Sequence, residues 1–174
     1  MPARIKWTQR RFPFDFPVDV YPELMERLRG APARVEDRLR SFPAALLTRR
    51  DGEAWSIQEN AGHLVDTEEL FWGRLDDYDA GVATLHDADM TNRKTFDARH
   101  NDQPIESLLQ ALRRERGALV ARLERLAPDQ FARTAQHPRL KKPMRVVDMM
   151  FFHAEHDDYH LARMTELARL FLGD

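Results

Sequence analysis

Two histidines one helical turn apart, His156 and His160, are the residues of this chain best placed to do chemistry together. Side chains four positions apart project from the same face of a helix. The apolar stripe around them runs Met149, Phe152 or His153, His156, His160, Met164, Leu167 and Phe171, so both rings are expected to face a protein interior. A buried imidazole needs partners for its nitrogens, and one divalent cation can take a lone pair from each ring. Two ligands make a weak site, so a third must come from another element. His63 is the best candidate, near the middle of a separate amphipathic segment and at the border of its stripe. Three histidines with one open coordination position is the pattern of a catalytic ion rather than a sealed structural one.

Other residues compete for roles around that centre. His153, three positions before His156, is a rival ligand, but reads better as a core residue or a support for the ligands. Glu59 and Thr67 lie one turn either side of His63 and, with Asp66, Glu155 and His153, are candidates to hydrogen-bond the ligand rings. His86, His100 and His137 fall in connecting segments and read as solvated. Glu155, Asp157 and Asp158 read as helix surface charge, and Trp72 and Tyr159 as core or pocket wall.

The elements that must position these residues follow from periodicity. Residues 1–20 read as an extended arm, in which Phe12, Phe14 and Phe16 alternate with Pro13, Asp15 and Pro17; two prolines in five residues forbid a helix. Those rings need burial, on the bundle or on a second subunit, with intramolecular packing as the default. Residues 21–41 form a first helix that Gly30 and Pro32 should interrupt, and residues 43–48 add a short helical turn. Residues 56–80 form the second helix, opened by Ser56 and Glu59 as a capping box and closed by Gly81. Residues 81–103 are a long polar crossover. Residues 104–126 form the third helix, with Pro104 suited to its first turn. Residues 127–144 are a proline-bearing loop, and residues 145–172 the last helix, ended near Gly173. The expectation is an all-α protein: one domain over residues 1–174, a four-helix bundle with a long crossover between helices 2 and 3 and an extended N-terminal arm.

Composition narrows the classes. Hydrophobic residues make up 43% and charged residues 32%, which suits a folded core under a charged surface. The net charge of -2, without a basic run, gives no electrostatic case for nucleic acid. With no cysteine, any metal must sit on His, Asp or Glu. No apolar run is long enough to span a bilayer, and the N-terminus lacks a signal-peptide core. A soluble cytoplasmic protein is expected.

Two stretches resemble a known family. Trp55-Ser56-Ile57-Gln58-Glu59-Asn60-Ala61-Gly62-His63-Leu64 resembles the second-helix motif of the DinB-like (DinB/YfiT-type) metalloproteins, and Ala154-Glu155-His156-Asp157-Asp158-Tyr159-His160-Leu161-Ala162-Arg163 resembles their last-helix motif. The similarity extends over almost the whole chain, through Glu26-Arg27-Leu28-Arg29-Gly30, Leu75-Asp76-Asp77-Tyr78, Thr91-Asn92-Arg93-Lys94 and His137-Pro138-Arg139-Leu140. It implies a four-helix bundle, one divalent transition metal (zinc or nickel foremost) on His63, His156 and His160, and a homodimer. The family shares its name with a lesion-bypass polymerase, for which this chain is too short.

The resemblance also implies function. Characterised relatives include enzymes that use low-molecular-weight thiols, such as bacillithiol or mycothiol, for S-transfer or isomerisation. The leading expectation is a thiol-dependent S-transferase acting on a small electrophile; without cysteine, the nucleophilic sulfur must arrive with the cosubstrate. Arg74, Arg93, Lys94 and Arg99 are candidates to hold that thiol's anionic groups, against a solvated-surface reading for each. Alternatives are a metal-dependent hydrolase, with Glu155 or Asp157 as acid or base, and a non-catalytic metal-binding protein linked to stress.

Overall fold

The computed structural model describes residues 4–173; residues 1–3 of the expected arm, and residue 174, lie outside the described residues. Four long helices dominate: α1 (Tyr21–Arg40), α3 (Ile57–Ala80), α5 (Ile105–Leu123) and α6 (Val146–Leu172). Short helices α2 (Ala44–Leu47) and α4 (Arg93–Asp97) lie in the connections. A two-stranded antiparallel sheet, β1 (Thr134–His137) and β2 (Lys142–Arg145), precedes α6. None of the described helices is long and apolar enough to cross a membrane.

The bundle is not a simple up-and-down array. α1 packs on α5 and α6, and α3 packs on the same two helices. α1 and α3 therefore stand diagonally, as do α5 and α6. This arrangement sets α3 beside α6 and so brings two segments ninety residues apart into register. Both ends of α3 are as expected. Ser56 accepts from the Glu59 amide while Glu59 accepts from the Ser56 amide, and Gly81 closes the helix at φ 66°.

The expected break in the first helix does not occur: α1 runs unbroken through Gly30 and Pro32. Proline has no N–H to give to the carbonyl four residues earlier, here Leu28. Arg116 of α5 supplies the missing donor, Nη1 to the Leu28 carbonyl at 3.2 Å. The same guanidinium binds Glu68 of α3 and Asp157 of α6, all three residues being buried. One cation thus joins all four helices. Burial alone would depress its pKa, but the Asp157 and Glu68 carboxylates reverse that and hold it charged. Asp157 is therefore an internal counter-ion, not the surface charge expected from its sequence surroundings.

The arm packs on its own bundle. Phe12 is buried, with its ring centroid 4.8 Å from Phe152, while Phe14 and Phe16 are half-buried. Arg145 donates to the Phe16 carbonyl at 3.0 Å, and Lys142 to that of Phe12. The arm carries one 3-10 turn, Trp7–Gln9, and a second, Val18–Val20, leads into α1.

The crossover is not a free loop. It begins by pairing with β1: the Leu85 amide donates to the Gln136 carbonyl at 3.0 Å, and the Gln136 amide to that of Ala83 at 2.9 Å. It ends on the first turn of α3, where Gln58 donates to the carbonyls of His100 and Gln103, both at 2.7 Å. Between these anchors it returns along α3. The 127–144 segment, expected as a loop, holds a 3-10 turn (Pro128–Ala132) and the hairpin. Tyr78 of α3 ties the hairpin down by donating to the Met144 carbonyl at 2.9 Å.

Candidate metal centre

His63 projects from α3, and His156 and His160 from α6, into the seam between the two helices. One nitrogen from each ring lies within 4.8 Å of the other two. Ring centroids are separated by 5.2 Å (His63–His156), 4.8 Å (His63–His160) and 4.6 Å (His156–His160). All three residues are buried, and the group contains no carboxylate.

The hydrogen bonds select which nitrogen each ring can offer. The Asn60 amide nitrogen donates to the carbonyls of Trp55 and Ser56, so its oxygen is the atom that faces His160. That oxygen lies 2.8 Å from His160 Nδ1. Nδ1 must then carry the ring hydrogen, which leaves the Nε2 lone pair free. His63 Nδ1 lies 2.9 Å from Thr95 Oγ1. That contact engages Nδ1 and turns Nε2 of His63 toward the other two rings. His156 has neither restraint, and its Nδ1 is buried without a partner.

Burial disfavours the imidazolium form of all three. It pushes His63 down to about 4, and His156 and His160 well below the usual histidine range, with the neighbouring rings adding to the effect. Neutral rings with unshared lone pairs, one of them holding an orphaned nitrogen, fit a borderline divalent ion. Aromatic rings enclose them: the Trp55 centroid is 4.7 Å from His63, and the Trp7 centroid 5.1 Å from His156. One side opens to a cavity of about 520 Å³ that all three histidines line, a volume suited to a small organic ligand.

The supporting residues differ from those expected. Glu59 is occupied by the helix cap and by Arg50. Thr67 donates to the His63 carbonyl, not to the ring. Glu155 pairs with Arg10 and Arg27. His153 stacks on Phe71 at 3.5 Å and meets Arg116 and Glu68. Asp66 bonds His100, at 2.8 Å. The ring partners are instead Thr95 and Asn60. Asn60 lies three residues before His63, the spacing of neighbours on one helix face, and could have been found on that basis. Thr95, thirty-two positions away in the crossover, gave no local signal.

Two histidines expected in solvent are buried. His100 is 3% exposed because it packs on Gly62, where a Cβ would stand 2.2 Å from the His100 ring. His137, the last residue of β1, is 2% exposed, with its ring centroid 5.3 Å from that of Phe152. His86 is exposed and bonded to Asp77. Of the four cations considered for ligand binding, Arg74 and Lys94 line the cavity. Lys94 pairs with Glu69, whereas Arg93 and Arg99 are surface residues paired with Asp97 and Asp102. Tyr159 is cavity wall, and Trp72 packs against the core from a half-buried position.

A family model described as the DinB superfamily matches residues 27–164. No curated protein matches the sequence. Among solved structures, the chain is similar to YfiT from Bacillus subtilis, described as a probable metal-dependent hydrolase with an unusual four-helix bundle topology. That likeness has 19% identity, covers 93% of each chain and has a TM-score of 0.78. The colibactin self-resistance protein ClbS, solved with a double-stranded DNA, is similar at 17% identity over 84% of this chain and 94% of that one, TM-score 0.66. A mutant of the mycothiol-dependent maleylpyruvate isomerase is similar at 10% identity over 86% of this chain and 61% of that one, TM-score 0.66.

Proposed function

The chain belongs to the DinB superfamily, and from that premise we propose that it is a metal-dependent enzyme, a transferase that uses a low-molecular-weight thiol. The observation that carries this reading is the meeting of three neutral imidazoles at the wall of an open cavity, with no carboxylate among them. His63, His156 and His160 would hold one divalent ion, zinc or nickel being the leading candidates. Such an ion would supply Lewis acidity, which favours the thiolate form of a cosubstrate thiol. Asn60 holds the His160 ring in the ligating tautomer, and Thr95 orients the His63 ring. Trp7 and Trp55 restrict water around the rings. The chain has no cysteine, so the sulfur belongs to the cosubstrate, and the cavity has room for it and for a small electrophile.

Hydrolysis is the second reading, favoured by the likeness to YfiT, described as a probable metal-dependent hydrolase. It asks for an acid or base beside the ion. Glu155 and Asp157, considered for that role from sequence, are committed to arginines. In thiol transfer the thiol's proton can pass to solvent, and the likeness to a mycothiol-dependent isomerase favours that reading, which is why we prefer it. A purely structural ion is disfavoured by the open cavity.

Two measurements test the reading. Elemental analysis should find one divalent ion per chain in the native protein and none in His156→Ala or His160→Ala. Loss of 1-chloro-2,4-dinitrobenzene should then be followed with bacillithiol, mycothiol, glutathione or coenzyme A. A thiol-dependent rate that disappears in His160→Ala supports transfer. Ester turnover without thiol, lost in the same variant, would instead establish hydrolysis.

A further inference from the structure

Away from the three ligand candidates, the same cavity is lined by three hydrogen-bond donors that lack acceptors. Arg74 of α3 is 1% exposed. Its guanidinium makes one hydrogen bond, from Nε to the His86 carbonyl at 3.2 Å, and its Nη1 is buried without a partner. Arg139, in the hairpin turn, donates Nη1 to the Thr8 carbonyl at 3.4 Å, and its Nη2 is buried and unpartnered. His137 of β1 accepts at Nδ1 from the amides of Arg139 and Leu140, both at 3.2 Å. An accepting Nδ1 leaves the ring hydrogen on Nε2, and that atom too is buried and unpartnered.

Neither guanidinium makes an ion pair among the described residues. Asp87 acts on both through its field alone. Asp77 gives its Oδ2 to the His86 amide and ring. Burial draws Arg74 down to about 10, so it stays charged at neutral pH. Burial, then the charges of Arg74 and Arg139, push His137 down to about 3, so its ring is neutral. Buried donors of this kind are costly unless something supplies acceptors, and two cations lining one cavity more so.

We propose that Arg74, Arg139 and His137 form an oxyanion subsite, which takes the carboxylate or phosphate group of the small molecule that enters the cavity. An oxyanion offers several acceptor oxygens and the missing negative charge, and guanidinium groups match its geometry. An apolar path joins this subsite to the histidines: the Phe152 centroid is 5.3 Å from His137 and 4.9 Å from Trp7, which is 5.1 Å from His156. The ligand class is therefore a small molecule with an oxyanion at one end, an apolar middle and its reacting group at the other. The position of that reacting group rests on the proposed function; the oxyanion subsite does not.

Titration calorimetry with benzoate, phenyl phosphate and neutral benzyl alcohol tests it on the native protein and on Arg74→Gln, Arg139→Gln and His160→Ala. One of the two anions should bind the native protein, with the tighter one naming the group. Arg74→Gln and Arg139→Gln should each weaken it about tenfold or more, while benzyl alcohol binding stays the same. His160→Ala should retain anion binding. Arg74→Gln should also melt no lower than the native protein, since it removes an unpaired buried charge; Arg139→Gln, only half-buried, carries the test if it does not fold. Anion affinity unchanged in both arginine variants, or no binding of either anion, overturns the subsite. Anion binding lost in His160→Ala but kept in the arginine variants would assign it to the ion, overturning the subsite while leaving the proposed function intact.

Discussion

The ring of His63 and the hydroxyl of Thr95 meet at 2.9 Å, and through that contact the crossover reaches the histidine cluster. Thr95 is buried on α4, which returns along α3 because its segment is anchored at both ends. Removing the hydroxyl without changing the shape isolates the contact. Thr95→Val should weaken metal binding by roughly 10–100-fold, the usual effect of losing a partner of a ligating histidine. Competition with a chromogenic chelator measures this, and an unchanged affinity would show that the contact does not orient the ring.

Gly62 reports on the same crossover from the other side. Its missing side chain is where the His100 ring sits. Gly62→Ala should expel His100 from its bond to Asp66, at a cost of about 1–3 kcal/mol. Limited proteolysis should then cut within residues 81–103 faster than in the native chain. Equal cleavage rates and equal stability would mean that the ring is accommodated elsewhere at no cost.

Arg116 serves the fold rather than the candidate site. Burial would raise the Glu68 pKa, but the Arg116 charge, with His153, draws it down to about 2. Arg116→Met leaves Glu68 and Asp157 without their cation and the Leu28 carbonyl without a donor. A loss of about 3–5 kcal/mol in urea unfolding is expected, as for other broken buried ion pairs. A loss under 1 kcal/mol would mean that the carboxylates protonate or rehydrate easily.

Acid should destabilise the protein over a defined window. His63, His137, His156 and His160 are held neutral in the fold, whereas an unfolded chain protonates them near pH 6.5. Below that pH the unfolded state binds more protons, so stability falls as pH falls. Each such histidine adds to that fall until its folded pKa is reached. Glu68 adds loss in the same direction below about pH 4.5, as its depressed pKa is approached. Urea midpoints at pH 7.5, 6 and 5 should decline steadily; a flat profile would show that the rings are protonated in the folded protein.

The sequence alone determined the long helices and the pairing of His156 with His160. Those features are local: helical period, a capping box at Ser56 and Glu59, and glycines that stop α3 and α6. Membership of the family was legible for the same reason, in two contiguous motifs. The tertiary structure decided what depends on distant partners. Pro32 reads as a break until Arg116 fills the gap it leaves at Leu28. Asp157 reads as surface charge until the same guanidinium buries it. Glu59 and Thr67 stand one turn from His63, yet the ring turns to Thr95, because a side chain bonds whatever the packed neighbour presents. His100 and His137 read as solvated because nothing nearby in sequence reveals Gly62, on which the first packs, or Phe152 of α6, against which the second lies. Spacing along a helix fixes which residues share a face, but only the meeting of helices and connections fixes what that face touches.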